Sequence, residues 1–165
     1  MEWGSVLEAG IRNGRGDGSG VVWATSPDTG QLDPHDLPVA ADILAMQTSC
    51  PDDCWFRFWE GLGFNDIDVD GPRMALPERH HVLFHGAVAD AVTRFQGFAP
   101  SIWWPADRAW FVATDVDLMS TYVGSTTECA SLLRDSGELE AIETSADRTT
   151  WWDSDTINPL PPEPI

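Results

Sequence analysis

"CWFRFWEG", residues 54–61, decides the fold. In an extended chain successive side chains point to opposite faces, so Trp55, Arg57 and Trp59 share one face while Phe56 and Phe58 share the other. Aromatic residues favour strands, and both faces of this strand are largely covered. Downstream, "PRMALP" (72–77) and "HHVLFHG" (80–86) are short apolar runs separated by a charged pair, the pattern of a hairpin. "AWFVATDV" (109–116) is the strongest strand signal in the chain.

Helical signals lie around these strands. From Asp36, an N-cap with Pro38 in the first turn, Leu37, Ala41 and Leu44 recur at helical spacing. Val88, Ala91, Val92 and Phe95 predict a helix of about three turns. Ser125 with Glu128 makes a capping box for a helix ending near Gly137. Trp3, Val6, Leu7 and Ile11 predict a short leading helix, ended by "NGRGDGSG", before a buried strand "VVWAT" (21–25). "ELEAIET" (138–144) reads as a last strand. Strands and helices mix without regular βαβ alternation, which predicts an α+β fold. The expectation is a single domain over residues 1–157, a mainly antiparallel sheet with about four helices packed on it. Residues 158–165, "NPLPPEPI", then form a proline-rich flexible tail.

A chain of 165 residues can bury a core without disulfide or metal staples. Nine basic against 27 acidic residues give a formal charge of −18, which repels nucleic acid and anionic membranes and favours basic partners or cations. All nine basic residues are arginine, as in a GC-rich genome, and salt adaptation is a competing source of the acidity. No signal peptide and no membrane-length apolar window are visible, so the expected location is cytoplasmic. Cys50, Cys54 and Cys129 are odd in number and suit free thiols in a reducing compartment.

Four groups of residues carry chemistry. "NDIDVDG" places Asp66, Asp68, Asp70 and Gly71 as in the first half of a calcium loop, but Pro77 stands where the bidentate Glu belongs. A solvated turn is the simpler reading, with calcium as the candidate metal and no other cofactor implied. Cys50 with Cys54 and His81 with His85 are each four apart; on a strand the two histidines lie about 13 Å apart, too far to share one zinc. A Cys54 or Cys129 nucleophile has no local signature. Asp115 and Asp117 share a strand face about 7 Å apart, at the point where an apolar strand turns polar. They suit either a metal-dependent hydrolase or a turn that begins at Asp115, with Asp117 and Ser120 or Thr121 bonding the local backbone. "RGD" (15–17) reads as a flexible loop.

Nine tryptophans are the remaining signal, with Trp103 and Trp104 in tandem near a strand end. An indole with one wet edge is an interface anchor, and nearby acids select a basic partner. Asp107 and Arg108 beside them suit an internal ion pair.

The blocks "PSIWWPADRAWFVATDVDLMSTYVGS", "CWFRFWEGLG", "ALPERHHVLFHG" and "DSDTINP" resemble a family of uncharacterised actinobacterial proteins over roughly residues 50–159. The resemblance implies shared origin and fold; no activity, cofactor or catalytic residue comes with it. The function expected from the residues is a small acidic protein-binding module, of the immunity or antitoxin-like kind, that covers a basic protein. Its expected contacts are Trp103, Trp104, Asp115, Asp117 and the loop 66–70. The alternative is a metal-dependent hydrolase or calcium-binding protein that uses the aspartates.

Overall fold

The computed structural model describes residues 29–62, 72–76 and 79–148. The leading helix, the strand 21–25, the RGD loop, Asp66, Asp68, Asp70 and the proline-rich tail lie outside the described residues. One compact unit, Pro27–Ala141, holds the sheet and its helices; of the other, Met1–Ser26 with Ile142–Ile165, only 142–148 are described.

The chain runs α1 (Asp36–Ala45), β1 (Cys54–Trp59), β2 (Arg73–Leu76), β3 (Arg79–Gly86), β4 (Ile102–Pro105), β5 (Phe111–Ala113), β6 (Tyr122–Gly124) and α2 (Thr127–Asp135). Short 3-10 turns occupy Glu60–Leu62 and Val88–Val92. The six strands form an open sheet in the order β2-β3-β1-β4-β5-β6, with every neighbouring pair antiparallel. The α+β class expected from the sequence is therefore present.

Register gives the sheet two unlike faces. Trp55 lies opposite His85 and Trp104, Arg57 opposite Leu83 and Ile102, and Trp59 opposite His81. These residues make the outer face. Phe56, between Phe84 and Trp103, and Phe58, opposite Val82, make the core face. Leu37, Ala41 and Leu44 of α1, Val88 and Ala91 of the second 3-10 turn, and Cys129 and Leu133 of α2 pack against it. Complete burial of a Leu or Val side chain contributes about 1.5–3 kcal/mol, and Leu44 and Val88 are both fully buried. Trp110 joins layer to sheet: it is 2% exposed, and its Nε1 donates to the Leu44 carbonyl at 2.8 Å.

Three helical and strand expectations need correction. Of the about four helices expected, the leading one lies outside the described residues, two are present as α1 and α2, and the run beginning at Val88 closes after five residues as a 3-10 turn. Asp90 takes the Ala87 N–H at 2.8 Å, and Phe95 and Phe98 exchange two backbone bonds around Gln96 (φ 51°) and Gly97 (φ 89°). That tight turn diverts the chain before a second helical turn can form. The cap of α2 is Thr126, whose hydroxyl accepts from the Cys129 N–H at 3.3 Å, one residue later than Ser125. Residues 138–144 form no strand; the Ser136 hydroxyl accepts the Leu139 N–H, Leu139 packs on the core, and Ile142 is 87% exposed.

Candidate functional site

β5 ends at Ala113, and the next residue, Thr114, is buried with its hydroxyl 2.7 Å from that of Thr121, which pins the loop between them. Within this loop the Asp117 N–H donates to Asp115 Oδ1 at 3.1 Å, so the chain turns where expected, but the side chain that bonds the backbone is Asp115, while Asp117 is bonded to Arg79 and Thr121 to Thr114. The loop is held from the other side by Gly30, whose N–H donates to the Leu118 carbonyl at 2.8 Å. Gly30 has φ 80°, and a Cβ there would lie 2.9 Å from Val116 Cα, so the approach requires glycine.

The partner of the two aspartates comes from 36 residues upstream of Asp115. Arg79, at the start of β3, donates from Nη1 to both Asp115 oxygens (2.9 and 2.8 Å) and from Nη2 to Asp117 Oδ2 (2.8 Å). Its guanidinium also lies 5.6 Å from the centre of the Trp59 ring. Burial pushes the Asp115 carboxyl up, but the Arg79 hydrogen bonds outweigh it and hold it below the ordinary range. Arg79→Met is expected to raise the Asp115 pKa, read by carboxyl carbon NMR. Because the folded-state value is depressed, the contribution of the pair is present above the ordinary carboxylate range and is lost as pH falls through the lowered value. For so exposed a pair it amounts to at most about 1 kcal/mol.

A cation bound by Asp115 and Asp117 would have to displace this guanidinium. Among the described residues no group of three or more His, Cys, Asp and Glu is placed to hold a metal.

The tandem tryptophans separate across the sheet. Trp103 is 1% exposed and meets Trp110 edge-on at 5.1 Å, so it supports the core and presents no surface to a partner. Trp104 faces outward and stacks on Phe111 at 5.8 Å. Phe111, Tyr122 and Met74 are exposed. Asp107 makes no ion pair with Arg108. It accepts from the Ser49 N–H and hydroxyl, the Thr48 hydroxyl and the Ala109 N–H, all between 2.7 and 3.1 Å.

The described cysteines and histidines do not assemble into a centre. All three thiols are free; Cys54 and Cys129 are buried, and burial pushes the Cys54 thiol up to about 12, far from a nucleophilic thiolate. His81 is 4% exposed, and burial followed by the charge of Arg57 lowers its pKa. His85 is exposed, with Nε2 2.6 Å from Asp53 Oδ1 and its ring edge-on to Trp55.

A feature outside the sequence reading is a groove of about 560 Å³ between α1 and α2. Val39, Ile43, Met46 and Leu132 supply its apolar surface, and Asp42, Glu128, Asp135 and Glu138 its acids. Among the described residues no basic side chain lines it, and one of its acids, Asp135, is paired with the neighbouring Arg134 at 2.9 Å. A signal for it exists in the sequence: α1 carries a second apolar stripe, 39/43/46, beside the buried 37/41/44. Met46 is 71% and Leu132 43% exposed, so these side chains have solvent where a core residue would have neighbours.

The class defined by this geometry is an α+β protein with an open antiparallel sheet, helices on one face and an aromatic, partly exposed second face. No protein-family model matches the chain, and no curated protein or solved structure does. No described helix is long and apolar enough to cross a membrane.

Proposed function

We propose that the protein is a binding module for a basic protein, with the α1–α2 groove as its principal contact. The observation that carries this reading is the pairing of an apolar floor, on which Met46 and Leu132 are exposed, with a rim of Asp42, Glu128 and Glu138; a fourth acid, Asp135, is paired with Arg134 at 2.9 Å. Such a groove suits an amphipathic helix whose apolar face enters between Ile43 and Leu132 and whose flanks carry Arg or Lys. The formal charge of −18 steers a basic partner toward it. Covering a basic functional surface in this way is the action of an immunity or antitoxin-like inhibitor. Trp104, Asp115 and Asp117 offer a secondary contact on the opposite face of the sheet, where Arg79 already neutralises much of the acidity.

The test is affinity capture of a basic protein from nuclease-treated lysate of the native cell, with wild type and a Met46→Arg/Leu132→Arg variant. The variant should melt normally, because both side chains are exposed, and lose the partner by more than about tenfold. Retention should also weaken as salt rises. A partner held equally by the variant but released by Asp115→Asn/Asp117→Asn would overturn the groove and move the interface to the outer face.

A further inference from the structure

Arg57 occupies the middle of β1, between β3 and β4, and is 4% exposed. Its Nε and Nη2 have no hydrogen-bond partner. On the same face, diagonal to it, His81 is equally buried and its Nδ1 is also unpartnered. Buried guanidinium groups are normally paired with an anion, since a desolvated charge without one is strongly unfavourable. Among the described residues, the acids around this face do not supply it: Asp115 and Asp117 are bonded to Arg79, Asp53 to His85 and Glu60 to Arg73.

The identity of the two orphan atoms specifies the missing partner. Nε–H and the adjacent Nη2–H point in parallel from one edge of the guanidinium, a spacing that matches the two oxygens of a carboxylate. The strand register specifies the rest. Trp55 and Trp59 flank Arg57 along its strand, and Leu83 and Ile102 lie opposite it on the two neighbouring strands, so its same-face neighbours in register are aromatic and aliphatic. His81 is pushed toward its neutral form, so the site carries one positive charge and suits a monoanion better than a phosphate dianion. The protein's negative field slows the approach of any anion, but over a few ångströms the guanidinium dominates.

We propose that Arg57 is the anchor of a binding site for a small organic monocarboxylate, whose apolar or aromatic body lies among Trp55, Trp59, Leu83 and Ile102. His81 Nδ1 provides a further polar contact. This site is on the sheet face opposite the α1–α2 groove and stands independently of the partner proposed there.

The test uses the full chain with benzoate as probe, neutral benzamide as its isosteric control and inorganic phosphate as the alternative anion. Benzoate is expected to raise the melting temperature saturably and to shift the Arg57 Nε–H resonance, while benzamide and phosphate do neither. Arg57→Met should fold and melt higher than wild type without ligand, because an unpaired buried charge is gone. It should also weaken benzoate by at least about 30-fold, which is about 2 kcal/mol at 1.4 kcal/mol per tenfold. An unmoved Arg57 resonance at the highest benzoate concentration overturns the proposal. A phosphate response equal to that of benzoate overturns the carboxylate class. An Arg57→Met variant that melts lower shows that the guanidinium is already paired within the chain, and overturns the free site.

Discussion

Replacing Trp103 with alanine is expected to cost about 3–5 kcal/mol of folding stability, as for large aromatic side chains deleted from a packed core. The same change at Trp104 should cost only about 1 kcal/mol, since half-buried aromatic surface is only partly withdrawn from water. The two residues are adjacent and chemically identical, so the contrast isolates their environment. Trp103 is 1% exposed, stacks near Phe56 at 6.3 Å and meets Trp110 at 5.1 Å; its removal leaves a cavity that these neighbours cannot close. Trp104 rests on Phe111, which is itself exposed. Urea unfolding of the two variants measures the difference. Equal costs would mean that β4 pairs with β1 one residue away from the alignment of Phe56 with Trp103, because a single-residue slip exchanges the two faces.

Asp107→Ala is the second large effect, at about 2 kcal/mol. This carboxylate collects four donors: two groups of Ser49, the Thr48 hydroxyl and the Ala109 N–H. It thereby ties the segment after α1 to the turn between β4 and β5. Exposure moderates the cost, because water can replace part of what is lost. Desolvation pushes the carboxyl up, but the donors outweigh it and hold Asp107 down at about 2. A depressed folded-state pKa contributes stability that is complete above the unfolded value and is lost as pH falls through the folded one. The difference in stability between wild type and Asp107→Ala should therefore be constant above about pH 5, set by an unfolded value of about 3.9, and shrink toward about pH 2. A difference that persists unchanged to that pH would show that the contacts do not depend on the charge.

The strands were legible because their information is local. Alternation in "CWFRFW" separates Trp55, Arg57 and Trp59 from Phe56 and Phe58, and the sheet uses that separation. The hairpin of β2 and β3 followed from two apolar runs with few residues between them. The turn after β5 also followed from local chemistry, although the backbone bond falls to Asp115 and not to Asp117, Ser120 or Thr121. What sequence reading missed was carried by distant partners. Nothing near Asp115 announces Arg79, and nothing near Asp107 announces Ser49. Helical spacing at 88–95 was real, but the turn around Gln96 and Gly97 prevailed over it. One side of the groove was legible as the 39/43/46 stripe of α1, but its other side depends on how α2 approaches, which no spacing within α1 specifies.

The cysteines acquire a different meaning from their positions. An odd, small number of thiols in a sequence suggests a reducing environment, yet Cys54 and Cys129 sit in the core, where they pack as small apolar side chains. With its proton held to about 12, Cys54 is withdrawn from oxidation and alkylation alike while the fold stays closed. Only half-buried Cys50 meets the surroundings. The interior is in this sense redox-blind: an oxidant reaches Cys54 and Cys129 only by way of opening, so the rate at which those two thiols react is a clock for how often the molecule unfolds.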